Sequence, residues 1–431
     1  MKNILILLCF VLIQGRLFAT DEKSILKEKL KKEFPGIVIM EKTSTKDFQF
    51  SLELNIQQFL DHNNPQLGSF PQTIYLYHKG FKKPNVLVTE GYNIGDRIYE
   101  ASQILNANQF SIEYRFHGNS TPKNIPWNLL TSSQEMEDLH FIKTKLAKIY
   151  KKNWTVTGIS KGGTTAALYA LTYPKDMNAT VAYVAPFILA QEDPRTIEHY
   201  TKKVNTEECR NMVLQFQRAM LQHRNELVPM INDLAKMDKV SFLIGADRVL
   251  EYASMEFPFS FWQWGFTCKD LPSINSSAKD IYDFVEQVVD FNYYDDKTVN
   301  SFAPSFYQFM SEFGYYGFDT TGLSDLIIYE KHPTNLSFCP EGVSISYNPN
   351  YMKLMTEKAS NDGKNIIYIY GALDTWYSCH VTLNPNTNCK MFVKSDMGHR
   401  VKIRNFSTEQ KDEIYSLLKK WTKSKTKPLP Y

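Results

Sequence analysis

The chain has 431 residues, 43% of them hydrophobic, with 49 basic and 46 acidic side chains and a net charge of +3. That length is ample for one large domain with an insertion, and the charge balance gives no reason for a nucleic-acid partner. No stretch after the first 19 residues is long and apolar enough to cross a bilayer.

Residues 1–19 read as a targeting segment. Lys2 gives the positive start, Ile4 to Ile13 is a short apolar run, and Leu17-Phe18-Ala19 precedes the cleavage site. The alternative is a retained anchor. Cleavage predicts a secreted or periplasmic protein of about 410 residues with no stable membrane insertion. It removes Lys2 and Arg16, so the net charge falls from +3 to +1. Five cysteines remain, at positions 209, 268, 339, 379 and 389. An oxidising compartment permits disulfides, and an odd count leaves one thiol over. Cys379 and Cys389 are the expected pair across one loop, although spacing alone does not fix connectivity. No C-x-x-C occurs, so a zinc site is not expected; no cofactor is expected either.

Asp21 to Phe34 is charged and reads as a surface helix, followed by an extended opening from Gly36 to Leu54. Strands are expected at Thr73–His78, Asn85–Thr89, Phe110–Phe116, Trp154–Gly158 and Thr180–Ala185. Gln134 to Tyr150 reads as a helix, with Leu139, Ile142, Leu146 and Ile149 at helical spacing. This alternation predicts an α/β fold: a mostly parallel sheet flanked by helices. From Gln191 to Pro333 the rhythm breaks into polar helical stretches and two aromatic clusters, Phe257–Phe266 and Phe302–Phe318. The rhythm resumes with strands at Asn365–Tyr370 and Lys390–Lys394 and a closing helix from Glu409 to Thr422. The lysine-rich tail from Lys419 to Lys427 is expected to fray. The domain organisation expected is a leader at 1–19, core at 20–190, a helical cap at 191–333, and core again at 334–431.

Gly158-Ile159-Ser160-Lys161-Gly162 reads G-x-S-x-G between a β-prone run and a helix rich in small residues. That context makes Ser160 a candidate nucleophile at a strained strand–helix turn. A serine hydroxyl needs a general base, and the base needs an orienting acid. Asp374 follows the strand ending at Gly371, and His399 follows the next strand, in the order Ser, Asp, His. The competing histidines are His380, six residues after Asp374 with no strand between, and His117, which precedes the serine. Asp396 is a competing acid, too close to His399 in sequence.

The amide of Lys161 is the expected first donor of an oxyanion hole, with Gly91 or Tyr92 supplying the second. Glu90 and Glu113 fall near this site. Glu113 is either paired with Arg115 or, with Glu90, a receptor for the ammonium group of a peptide amino terminus. Trp262 and Trp264 lie in the densest aromatic segment, which is either the cap's own core or a pocket for an apolar, proline-sized group.

Several stretches together resemble one family: Gln58–Pro65, Val88–Tyr92, Glu113–Gly118, Gly158–Gly163, Val181–Pro186 and Glu256–Gly265. The chain resembles the secreted bacterial prolyl tri- and tetrapeptidyl aminopeptidases, serine peptidases distantly similar to lysosomal prolylcarboxypeptidase and dipeptidyl peptidase II. The resemblance covers about residues 50–400. It implies an α/β-hydrolase core with a helical cap, catalysis by Ser160, Asp374 and His399, and release of short amino-terminal fragments after proline from peptide substrates. An esterase or lipase with the same triad, and a non-catalytic peptide-binding protein, are the alternatives. Oligomeric state is not legible.

Overall fold

The computed structural model describes residues 22–43 and 46–429. The leader expected at 1–19 lies outside the described residues. In chain order the structure begins with helix α1 (residues 22–33), β1 (Val38–Lys42), β2 (Phe50–Phe59), β3 (Ser69–His78) and β4 (Asn85–Thr89). It continues with α2 (Glu100–Ile104), β5 (Asn108–Ile112), α3 (Ser132–Ile149), β6 (Trp154–Ile159), α4 (Lys161–Thr172) and β7 (Ala179–Tyr183). These strands and two later ones form a nine-stranded sheet in the order β1-β2-β3-β5-β4-β6-β7-β10-β11.

The first strands pair antiparallel, β1 with β2, β2 with β3 and β3 with β5. From β5 through β4, β6, β7, β10 (Ile366–Gly371) and β11 (Lys390–Lys394) every pairing is parallel. Parallel strands are covered on both faces and therefore read as apolar runs. In β10, Ile366, Tyr368 and Tyr370 join one hydrophobic cluster, while Ile367 and Ile369 join the cluster on the other face. The period of two that separates them is the pleat itself.

Between β7 and β10 the segment adds no strand to this sheet. It carries the two-residue strands β8 (Glu192–Asp193) and β9 (Tyr315–Tyr316), which pair with each other. Its helices are α5 (Pro194–Glu198), α6 (Glu207–Gln222), α7 (Arg224–Asp238), α8 (Ala246–Trp264), α9 (Ala278–Val288), α10 (Asp296–Gln308) and α11 (Asn350–Asn361). Helix α12 (Thr408–Thr422) closes the fold. No helix among the described residues is long and apolar enough to cross a membrane.

Four expectations are corrected. The strand expected at Phe110–Phe116 ends at Ile112, and the chain beyond it turns through Phe116 at φ +63°. The strand expected at Thr180–Ala185 ends at Tyr183, because Val184 takes φ +42°. Cys379 and Cys389 are both free; the disulfide joins Cys209 to Cys268 across the insertion, with Cα atoms 5.6 Å apart. The tail is docked rather than frayed. The Lys427 amide donates to Ile104 O at 2.7 Å, and Leu429 is buried in the cluster that α12 covers.

Candidate active site

Ser160 sits between the end of β6 and the start of α4 at φ +60°, ψ −129°. A non-glycine residue rarely holds that conformation, so the surroundings must enforce it. The Ser160 amide donates to Tyr183 O at 2.9 Å, and the Thr164 amide donates to Ser160 O at 3.0 Å. The Thr89 hydroxyl donates to Gly162 O at 2.7 Å. A Cβ on Gly158 would lie 2.1 Å from Gly162 O, and one on Gly163 would lie 2.4 Å from Tyr183 O. The glycines of the motif thus let helix and strands close on each other behind the serine.

Asp374 and His399 follow β10 and β11, at the same carboxyl end of the parallel strands as Ser160, which follows β6. Asp374 is fully buried. Its Oδ1 accepts from the Trp376 amide at 3.1 Å, and its Oδ2 lies 2.7 Å from His399 Nδ1. With Nδ1–H donating to the Asp374 carboxylate, His399 keeps Nε2 free to act as a base. Among the described residues no hydrogen bond joins Ser160 to His399. In many hydrolases that contact tightens only when substrate binds.

Helix α8 fixes the histidine. The His399 amide donates to Gln263 O at 2.7 Å, and the Thr375 hydroxyl donates to Phe259 O at 2.9 Å. A Cβ on Gly398 would lie 2.4 Å from Gln263 O. Trp264 meets the His399 ring edge-on at 6.1 Å, and Arg400 lies over Trp264. Beside them opens a cleft of about 760 Å³ bordered by Trp264, Tyr293, Phe302 and Arg400.

The competing residues are engaged elsewhere. His117 is buried between Arg115 O and the Ser305 hydroxyl, both at 2.9 Å. His380 donates from Nδ1 to Tyr377 O at 2.7 Å. Asp396 pairs with Lys394 at the surface.

Lys161 opens α4, so its amide has no acceptor within the helix. Gly91 packs directly on it: a Cβ there would lie 2.7 Å from Gly162 N. The sequence-based expectation used only the Lys161 backbone. Its side chain is also buried, with Nζ donating to Gly91 O at 2.8 Å and lying 3.7 Å from the centre of the Tyr114 ring. Burial lowers its pKa to about 7. The lysine therefore ties the two walls of the expected oxyanion hole together. A lysine in a helix start otherwise made of small residues was the available signal.

Glu90 and Glu113 are buried but occupied. Glu90 accepts from the Tyr99 hydroxyl at 2.9 Å and from Arg97 at 2.9 Å. Glu113 accepts from the Ser120 amide and hydroxyl at 2.9 and 2.7 Å and from the Ile94 amide at 3.1 Å. Burial raises the pKa of both. Arg115 does not pair with Glu113; it forms a two-pronged bond to Asp138 at 2.7 and 3.1 Å. Trp262 is fully buried against Phe261, whereas Trp264 is 38% exposed beside His399.

Sequence reasoning named the Phe302–Phe318 cluster but missed that Phe302, Phe309 and Tyr315 close a set with Tyr92, Tyr293 and Trp376. Tyr92 contacts Phe302 at 5.8 Å and Phe309 at 6.4 Å. Phe309 stacks on Tyr315 at 4.2 Å, and the Tyr315 hydroxyl meets that of Tyr293 at 3.2 Å. Tyr293 returns to Phe302 at 6.2 Å, and Tyr315 reaches Trp376 at 5.6 Å. These residues are dispersed over nearly 300 positions, so no local pattern assembles them.

A mostly parallel sheet with helices on both faces, a serine at a strained strand–helix elbow, and an Asp–His pair at the same carboxyl end of the strands define an α/β hydrolase. Residues 20–427 match the family model described as PS-10 peptidase S37. The chain belongs to that family and is a serine peptidase. It is 30% identical over 363 residues to the prolyl tri/tetrapeptidyl aminopeptidase of Streptomyces mobaraensis, covering 83% of this chain and 76% of the relative. Among solved structures it is similar to the proline iminopeptidase of Mycobacterium smegmatis, at 11% identity and TM-score 0.38, covering 81% of this chain and 96% of that one. It is also similar to an alpha/beta fold family hydrolase from Bacillus anthracis, at 14% identity and TM-score 0.35, covering 81% and 95%.

Proposed function

We propose that this peptidase is secreted and releases short fragments, of three or four residues, from peptide amino termini, preferentially after proline. Ser160 Oγ attacks the scissile carbonyl carbon while His399 Nε2 takes the hydroxyl proton. The carbon–nitrogen bond breaks, and the leaving amine receives that proton from His399. Water, deprotonated by His399, then cleaves the acyl-enzyme ester and restores the serine. Asp374 holds the histidine in orientation. The Lys161 amide and one from Gly91 or Tyr92 stabilise the developing oxyanion.

The observation that carries this reading is the Asp374–His399 bond of 2.7 Å at the carboxyl end of the strands, where the Ser160 elbow also stands. The segment 191–333 is read as a cap that restricts entry, and its aromatic set suits the flat apolar face of proline. The name of the Streptomyces relative supports the fragment length and the proline preference. Secretion is supported by the apolar run at Ile4–Ile13 and by the Cys209–Cys268 disulfide.

Ser160→Ala tests the assignment. It is expected to abolish release of p-nitroaniline from Ala-Ala-Pro-p-nitroanilide, a loss of about 10⁴-fold or more, with an unchanged circular dichroism spectrum. Wild-type turnover in that variant overturns the nucleophile.

A further inference from the structure

Glu256 lies in α8, and one of its carboxylate oxygens is unanswered. The Ser260 hydroxyl donates to Oε1 at 2.7 Å, while Oε2 is buried with no hydrogen-bond partner among the described residues. The Tyr316 hydroxyl stands near enough to favour the charged form, and no lysine or arginine contributes. Burial raises the pKa to about 7. A buried acceptor without a donor is costly, and its persistence calls for an explanation.

The position of this carboxylate is informative. Glu256, Ser260 and Gln263 follow one another at i, i+4 and i+7, so they share a face of α8. Gln263 O holds the His399 amide. Seven helical positions rise by about 10 Å. Three extended peptide residues also span about 10 Å. Between the two points Phe259 of α8 stacks on Tyr316 at 4.1 Å and meets Trp376 of the aromatic set at 5.1 Å. Ring-to-ring steps of 6.4 and 4.2 Å lead from Tyr92, beside the oxyanion hole, through Phe309 to Tyr315. The Glu256 charge lies close enough to Tyr293, Tyr315 and Tyr316 to help raise their pKa values. A chain of aromatic contacts thus joins the oxyanion-hole side to an acid that has no basic partner. An ammonium group supplies both what the acid lacks, a hydrogen-bond donor and a positive charge.

We propose that Glu256 is the receptor for the free α-ammonium group of the substrate. The proposal rests on the exopeptidase reading and deepens it: Glu256, not Glu90 or Glu113, fixes the amino terminus, and its separation from Ser160 sets the length of the released fragment.

The test compares Ala-Ala-Pro-p-nitroanilide with its N-acetylated form on wild-type protein and on Glu256→Gln. Wild type is expected to favour the free amine by about a hundredfold in kcat/KM, and the variant to lose that preference. Labelling by a fluorophosphonate reports that fold and nucleophile survive the change. If wild type cleaves both substrates alike, the exopeptidase reading fails and takes Glu256 with it. If wild type demands the free amine and Glu256→Gln still does, only the assignment of Glu256 falls. A second measurement does not depend on that variant folding. Binding of Ala-Ala-Pro to Ser160→Ala protein near pH 7 is expected to release a proton, seen by calorimetry in buffers of different ionisation enthalpy. N-acetyl-Ala-Ala-Pro is expected to release none. Equal proton release by the two peptides overturns the proposal.

Discussion

Two faces of α8 treat a buried glutamate in opposite ways. On one, Glu251 is fully buried and amply partnered. It accepts from Arg224 at 2.6 Å, from the Ile328 and Glu330 amides at 2.7 Å each, and from the Tyr329 amide at 3.1 Å. Five positions on, about 140° around the axis, Glu256 has the Ser260 hydroxyl on one oxygen, the Tyr316 hydroxyl nearby, and no basic partner. The first arrangement holds the insertion together. It spends a charge to pin the loop at residues 328–330 against the helix. The second holds nothing in the protein, and it faces the side of α8 that touches the His399 loop. A buried charge is a poor guide to function until its partners are counted.

The comparison breaks most sharply at Glu251. Glu251→Gln is expected to lower stability by about 3–5 kcal/mol, because Arg224 loses its buried counter-ion. Denaturant unfolding measures this. The preference for a free amino terminus should survive in the protein that remains folded. If Glu251→Gln removes the preference and Glu256→Gln does not, the roles assigned to the two faces are reversed.

Lys161 extends the comparison to a buried cation. Lys161→Met is expected to lower kcat on the free-amine substrate by about tenfold, since the Gly91 loop loses its tether, with a smaller change in KM. An unchanged kcat would show that Gly91 is held by packing alone.

The smallest effect is on pH dependence. The Glu256 pKa is raised from 4.5 to about 7, so the folded state binds more protons than the unfolded one between those values. Stability contributed by this group is therefore present below pH 4.5 and lost as pH rises to about 7. Glu256→Gln should raise Tm by a few degrees at pH 8 and leave it nearly unchanged at pH 4.5. Thermal scans at the two pH values decide this, and an equal shift at both would show that Glu256 is already paired.

The sheet was legible because buried parallel strands are apolar runs, and Val86–Val88 or Ile366–Tyr370 have no other reading in an alternating chain. The elbow was legible because close packing admits only glycine at Gly158 and Gly163. Strand ends were misread at Phe116 and Val184, where a positive φ is imposed by tertiary contacts and leaves no mark in residue type. The Cys209–Cys268 pairing joins points 59 residues apart and was invisible for the same reason. Glu256 stood within a recognised stretch, yet what sets it apart is a missing donor, a property that exists only after folding.

Helix α8 is bonded to both loops that carry Asp374 and His399, through Phe259 O and Gln263 O. If α8 lifted to admit a peptide, it would carry His399 out of register with it. Traffic in and out is therefore expected to leave α8 in place and to use the cleft where only its last residue, Trp264, faces Tyr293, Phe302 and Arg400. A ruler is dependable only when its two marks are fixed to one rigid piece, and here Glu256 lies in α8 while the His399 loop is bonded to the same helix at Gln263 O.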